Sequence, residues 1–180
     1  LYNWRRHRAD GYAWWLRRLR HAARVYDVVR IDHFRGFESY YAIPAAAKTA
    51  ARGRWRKGPG MDLIGAIQRE LPGLGVIAED LGYLTPAVRR LLAESGYPGM
   101  KVLQFAFDSR EESDYLPHNY PRDTVVYTGT HDNTTTEDWQ RSAAPEDVAF
   151  ARRYLDITPM TNFTYSFIRA ALGSVADTCI

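Results

Sequence analysis

Hydrophobic and polar positions along the chain alternate between a helical and a strand period. Four short apolar or β-branched runs predict strands, at about residues 26–31, 75–80, 100–107 and 123–132. Helical spacing predicts helices at about 9–25, at 62–71, between Thr85 and Gly96, and from residue 144 onward. A Gly-, Pro- and Arg-rich stretch at residues 50–60 predicts a long loop. Strands that alternate with helices indicate an α/β protein with a parallel sheet, either open or closed into a barrel.

Composition places the chain among ordinary globular proteins. Of its 180 residues, 46% are hydrophobic and 25% are charged, and no apolar run approaches the length of a membrane span. Cys179 is the only cysteine, which excludes an internal disulfide and a cysteine-rich zinc site and fits a cytoplasmic protein. We therefore expect no membrane partner.

The formal charge of +3 comes mainly from arginine, since only three of the 24 basic residues are lysines. The densest basic stretch is the first predicted helix, where Trp15 and Leu19 fall on one side and the arginines mostly on the other. A solvated helix face explains this pattern better than a nucleic-acid interface, because no groove-binding motif is present. No nucleic-acid partner is expected.

Polar side chains lie at the carboxyl ends of three of the four predicted strands. They are Arg30, Asp32 and His33 after the first strand, Glu79 and Asp80 after the second, and His131, Asp132 and Asn133 after the fourth. Parallel α/β folds, and barrels above all, build their active sites at this end of the strands. The coincidence across three strands predicts a functional site there.

Arg30 and Asp32 should share one face of the first strand, because side chains alternate along a strand. A guanidinium group beside a carboxylate favours the ionised form, which suits a nucleophile. A purely structural ion pair, with Asp32 in a turn, is the competing interpretation.

Glu79 and Asp132 are the other two candidate acids. Glu79 follows the apolar run 76–78, and a partly buried carboxyl group can act as a proton donor near neutral pH. Asp132 lies between His131 and Asn133, which can both donate hydrogen bonds to a polyhydroxylated ligand, although a plain Asp-Asn turn would explain the same residues. Together with Asp32, these acids supply the parts of a retaining glycosidase, in which nucleophile and acid lie about 5 to 5.5 Å apart.

Aromatic side chains could provide apolar faces for sugar rings, and we single out Trp55 in the predicted loop and Phe105 on the third predicted strand. Most aromatic residues are nevertheless core residues. Dinucleotide and phosphate-loop motifs are absent, so no cofactor is expected. A metal site built from Asp32, His33 and His131 has no supporting motif, so no metal is expected either.

Six blocks of the chain resemble, in the same order, those of the 4-alpha-glucanotransferases of glycoside hydrolase family 77. The blocks are VRIDHFRGFESYYAIP, GRWRKGPG, IAEDLGYLTPAV, PGMKVLQFAFD, YLPHNYP and VVYTGTHDN. The resemblance implies that residues 1–180 are the central part of one catalytic (β/α)8 TIM barrel domain, about strands 4 to 7 with flanking helices. The chain would then be a fragment, incomplete at both ends, that begins after the third strand and stops before the eighth.

The resemblance also implies a role for each candidate residue. Asp32 would be the nucleophile, Glu79 the general acid/base and Asp132 the stabiliser of the transition state. Arg30 would orient Asp32, and the substrate contacts would be His33, His131, Asn133, Trp55 and Phe105. One departure concerns the residue after Asn133, which is usually acidic in the family and is Thr134 here.

The implied activity is transfer of an α-1,4-glucan segment to the 4-hydroxyl of an acceptor glucan or glucose, with α-1,4-glucans and maltooligosaccharides as partners. Two alternatives stay open: an α-amylase-like retaining hydrolase, and a non-catalytic glucan-binding protein. Half a barrel leaves sheet edges unpaired and apolar surface uncovered, so we expect the isolated 180 residues to be weakly stable and inactive.

Overall fold

The computed structural model describes all residues from Leu1 to Ile180 as two compact units, Leu1–Gly99 and Met100–Ile180. Each unit combines helices with parallel strands, so the predicted α/β class is confirmed within both. Each also has its own cluster of buried apolar side chains. None of the helices is long and apolar enough to cross a membrane.

The first unit contains four helices and four strands. They are α1 (Trp4–Ala9), α2 (Ala13–Ala22), β1 (Val28–Ile31), β2 (Ser39–Ala42), β3 (Arg54–Lys57), α3 (Met61–Glu70), β4 (Gly75–Ala78) and α4 (Pro86–Ser95). β1 and β4 pair in parallel, with Val28 opposite Gly75 and Ile31 opposite Ala78. The segments that follow these two strands therefore leave the sheet side by side.

Two of the helix predictions in this unit have different outcomes. The helix between Thr85 and Gly96 is confirmed: the Thr85 hydroxyl accepts the Val88 N–H, and Gly96 ends the helix in the left-handed conformation with φ 64°. The helix predicted at about 9–25 is confirmed over Ala13–Ala22 but begins later than expected, because Gly11 and Tyr12 are both left-handed and separate α1 from α2. The break lets the Tyr12 side chain enter the core.

The stretch predicted as a long loop contains β3, which pairs antiparallel with β2 and places Trp55 opposite Tyr41. The prediction of a loop around Trp55 is therefore wrong. All four residues of β3 are exposed, so the strand has no alternation of buried and exposed positions that a sequence pattern could reveal. At the base of this hairpin the Lys57 ammonium donates to Glu38 over 2.6 Å, which holds the pKa of Glu38 below its ordinary value.

Gly58 follows β3 and packs against the end of the short 3-10 helix Phe34–Phe37. Its N–H donates to the Glu38 carbonyl over 2.8 Å. A β-carbon at Gly58 would lie 2.6 Å from the Gly36 carbonyl oxygen and closer still to that of Phe37. We expect Gly58→Ala to lower the free energy of unfolding by about 1–3 kcal/mol, because backbone must move to accommodate the methyl group.

Chemical denaturation of the purified protein measures this effect. Gly73→Ala is the matched control, since a β-carbon at Gly73 meets nothing within 4 Å. Equal stabilities of the two variants would contradict the prediction.

The second unit contains three strands and three helices. They are β5 (Gly99–Val102), whose first residue is the last of the first unit, β6 (Thr124–Tyr127), β7 (Thr178–Cys179), α5 (Thr136–Ser142), α6 (Pro145–Tyr154) and α7 (Phe163–Leu172). The sheet order is β5-β6-β7, and β6 and β7 are parallel. β7 was not predicted from the sequence, because a strand of two residues is too short to show a period. The expectation that no strand follows the one at 123–132 is therefore wrong.

Two predicted strands in this unit are shorter than expected. The strand at 123–132 ends at Tyr127, which leaves His131 and Asp132 in the loop beyond it. The strand at 100–107 ends at Val102 and continues as a 3-10 helix, Leu103–Ala106, so the placement of Phe105 on a strand is wrong. With three residues per 3-10 turn, Leu103 and Ala106 both face the core, while Phe105 is exposed.

Candidate active site

Asp32 directly follows β1, and its side chain is exposed. The Arg30 guanidinium lies 2.9 Å from Asp32 Oδ1, with 26% of the Arg30 side chain and 75% of the Asp32 side chain accessible to solvent. The predicted pairing of these residues is thus present, as is the shared strand face. The half-buried cation fixes the position of the carboxylate, whereas the open face of Asp32 leaves room for a reactant.

Glu79 directly follows β4 and is enclosed by the turn that carries Asp32. The N–H of His33 donates to Glu79 Oε2 over 2.7 Å, and the N–H of Leu81 donates to Oε1 over 2.8 Å. The Glu79 main chain makes two further hydrogen bonds. Its N–H donates to the Ile31 carbonyl, and its carbonyl accepts the Phe34 N–H. Since Asp32 and His33 are consecutive, these bonds bring Asp32 and Glu79 together at one edge of the sheet.

His33 adopts the left-handed conformation, with φ 48° and ψ 50°, which is unusual for a residue with a β-carbon. This conformation directs the His33 N–H to the Glu79 carboxylate. A strained backbone that the surrounding bonds hold in place is typical of functional sites. His33 was predicted as a substrate contact, whereas this main-chain bond could not be predicted from the sequence.

Asp80, next to Glu79, is buried and packs against Gly99. A β-carbon at Gly99 would lie 2.8 to 2.9 Å from the carboxylate atoms of Asp80, so a side chain at this position would require the Asp80 carboxylate to move.

Asp132 and His131 extend into solvent from the loop after β6. Their side chains are 74% and 73% exposed, and His131 Nε2 lies 3.4 Å from Asp132 Oδ2. Asn133 is half-buried, and its Oδ1 accepts both the N–H and the hydroxyl of Thr130, over 2.9 and 2.8 Å. The Asn133 oxygen therefore braces the loop, as the plain-turn interpretation required, and only its amide nitrogen is left to meet a ligand.

Trp55 and Phe105 are both exposed, at 58% and 43%. The Arg35 guanidinium carbon lies 4.7 Å from the centre of one Trp55 ring system, and Arg35 Nη1 donates to the Tyr83 carbonyl over 3.0 Å. Arg35 thus links the hairpin to the loop that follows Glu79. Arg35 was not among the residues predicted from the sequence.

A cavity of about 480 Å³ opens beside Asp32 in the first unit. Its volume is in the range of small-ligand sites, and its walls combine aromatic rings with a few polar groups. The lining includes Trp4, Trp15, Val29, Arg30, His33 and Phe37.

The structure accordingly gathers Arg30, Asp32, His33 and Glu79 in the first unit. His131, Asp132 and Asn133 form a second group, in the second unit. Histidine, cysteine, aspartate and glutamate side chains form no group of three or more that could hold a metal ion.

The comparisons with known proteins give this arrangement a class. A glycoside hydrolase family model matches residues 1–180, so the chain is a member of that class of carbohydrate-active proteins. Within the class it belongs to family 77, described as 4-alpha-glucanotransferase. The family assignment made from the six sequence blocks is confirmed.

Individual relatives agree with the family model. The 4-alpha-glucanotransferase of Streptococcus pneumoniae is 46% identical over 177 residues, which cover 98% of this chain and 35% of that protein. The Thermus thermophilus 4-alpha-glucanotransferase is 53% identical over 157 residues, 86% of this chain and 31% of that protein. The structure of amylomaltase from Streptococcus agalactiae in complex with acarbose has a TM-score of 0.94 and 38% identity, covering 100% of this chain and 37% of that one. This chain spans about a third of the length of these relatives.

Proposed function

We propose that this chain is the central part of the catalytic domain of a 4-alpha-glucanotransferase, which moves α-1,4-glucan segments between maltooligosaccharides. The observation that carries the proposal is the pair of carboxylates at the ends of β1 and β4, joined through the bond from the His33 N–H to Glu79. The named activity of the curated relatives and the acarbose bound to the related amylomaltase support it.

In the proposed reaction Asp32 attacks C1 of the donor sugar while the bond from C1 to the departing oxygen breaks. Glu79 gives its proton to that oxygen, so the released chain leaves with a free 4-hydroxyl group. The donor segment stays on Asp32 as a β-linked ester. In the second step the acceptor 4-hydroxyl gives its proton to Glu79 and attacks C1, which frees Asp32 and restores an α-1,4 bond.

Other residues assist the two carboxylates in the proposed reaction. Arg30, 2.9 Å from Asp32, keeps the nucleophile oriented. Asp132 stabilises the positive charge of the transition state, and the exposed His131 beside it contacts the sugar hydroxyls. His33, Trp55, Phe105 and the Asn133 amide nitrogen complete the proposed substrate contacts.

We further propose that the whole domain is a (β/α)8 barrel in which β1, β4, β5 and β6 are the fourth to seventh strands. β7, parallel to β6, would then begin the next strand position. In this arrangement the three acids are carried on the ends of the fourth, fifth and seventh strands, where barrel enzymes build their sites.

Incubation of the full-length protein with maltotriose tests the function. We expect free glucose together with longer maltooligosaccharides and a constant number of reducing ends, because each transfer breaks one glycosidic bond and makes another. An increase in reducing ends would identify water as the acceptor and the protein as a hydrolase. Binding of maltotriose without any product would contradict both activities.

A further inference from the structure

Gln104 is the one polar side chain in the apolar run Val102–Phe107, and it is buried, with 6% of its surface exposed. Burying an amide costs free energy unless its hydrogen bonds are replaced inside the protein. Apolar residues fill the rest of this 3-10 segment, so packing alone does not require a glutamine. Its bonding partners therefore indicate its role.

Both partners of Gln104 belong to residues 128–134, which we call the Asp132 loop. The Gln104 main-chain N–H donates to the Thr128 carbonyl over 3.2 Å, at the beginning of the loop. Its side-chain Nε2 donates to the Thr134 carbonyl over 2.9 Å, at the end of the loop. One buried residue thus fastens both ends of the loop that carries Asp132.

Gly129 shows how closely Gln104 fits against the Asp132 loop. A β-carbon at Gly129 would lie 2.9 Å from Gln104 Nε2 and 3.2 Å from its Cδ. The φ of Gly129 lies outside the left-handed region, so the position of Gln104 explains why a side chain is excluded here.

Inside the loop the Asn133 oxygen binds Thr130 at two atoms, whereas the Asp132 carboxylate has only His131 at 3.4 Å. The location of this exposed carboxylate therefore depends on the loop, and the loop depends on Gln104. We propose that Gln104 is a positioning residue that holds Asp132 in place for the glycosyl-transfer transition state. This inference rests on the proposed function, in which Asp132 stabilises that state.

Gln104→Met in the full-length enzyme tests the proposal, because methionine keeps the length of the side chain and removes the N–H donor. We expect kcat for maltotriose to fall roughly 10- to 100-fold, as for small displacements of catalytic groups. KM should change by less than about threefold, since Asp132 acts on the transition state more than on the bound substrate. Hydrogen exchange of the amides in the Asp132 loop should become faster.

Gln68→Met is the matched control, because Gln68 Nε2 also donates to a backbone carbonyl, that of Ser95 at 2.7 Å, between α3 and α4. It should leave kcat and the exchange of the Asp132 loop unchanged. Gly129→Ala disturbs the contact between Gln104 and the Asp132 loop from the side of the loop and leaves Gln104 unchanged. It therefore tests the proposal if Gln104→Met fails to fold. Gly129→Ala should also lower kcat for maltotriose.

The outcomes separate this inference from the proposed function. If Asp132→Asn abolishes transfer while Gln104→Met and Gly129→Ala leave both kcat and loop exchange at wild-type values, the positioning role is wrong and the function stands. If Asp132→Asn itself leaves transfer unchanged, the proposed role of Asp132 fails. An equal decrease of kcat in Gln104→Met and in Gln68→Met would also overturn the inference.

Discussion

Replacement of Asp32 by alanine in the full-length enzyme is expected to lower kcat for maltotriose on the order of 10⁴-fold or more. Arg30 pairs with Asp32 at this edge of the sheet, and the two oxygens of Glu79 are engaged with the N–H groups of His33 and Leu81. The variant therefore has no group that can take over the covalent bond to C1. Because the Asp32 side chain is exposed, its replacement by alanine should leave the fold intact.

The stereochemistry of a rescued reaction identifies the missing role. With α-glucosyl fluoride as donor and added azide, the small anion can enter the space that the Asp32 carboxylate vacates and displace fluoride directly. A single displacement inverts C1, so the expected product is β-glucosyl azide, which NMR of the anomeric proton distinguishes from the α-anomer.

Asp27→Ala is the control for this experiment, because Asp27 is an exposed aspartate that precedes the opposite end of β1. It should retain wild-type transfer and form no β-glucosyl azide. Transfer by Asp32→Ala at a rate near that of the wild type would contradict the nucleophile assignment.

The sequence could predict the pairing of Asp32 with Glu79 because the physical rule behind it is simple. Both acids come directly after short apolar strands, and parallel strands place their carboxyl ends at one edge of a sheet. The alternation of side chains along a strand likewise predicted Arg30 and Asp32 on one strand face, and Arg30 Nη2 lies 2.9 Å from Asp32 Oδ1 in the structure. Alternation and strand direction are properties of the pattern, so these features are visible without coordinates.

Other features depend on contacts that no local pattern contains. β3 is exposed at every residue, so its partner β2, rather than its own sequence, makes it a strand. The bond from the His33 N–H to Glu79 requires a left-handed residue 33, and histidine carries no special preference for that conformation comparable to glycine. Gln104 could have been noticed as a lone amide in an apolar run, but its partners lie about 25 to 30 residues further along the chain.

Glu79 needs a different substitution from the usual glutamine, because of the way its two oxygens are held. Each oxygen accepts one backbone N–H, from His33 and from Leu81. A glutamine would keep one acceptor and turn an NH₂ group toward the other N–H donor, which leaves two donors facing each other. Such a mismatch disturbs the turn at Asp32 as well as proton transfer. Alanine lets water satisfy both N–H groups, since Glu79 is only half-buried.

Glu79→Ala is expected to lower kcat for maltotriose roughly 10²- to 10⁴-fold, the usual contribution of a general acid and base. Fluoride leaves without a proton, so Asp32 should still form the β-glycosyl ester from α-glucosyl fluoride. Azide, which needs no general base, should then attack that ester from the opposite face. Two displacements restore the original configuration, so the expected product is α-glucosyl azide. A β-azide from Glu79→Ala, or an α-azide from Asp32→Ala, would mean that the roles of the two carboxylates are exchanged.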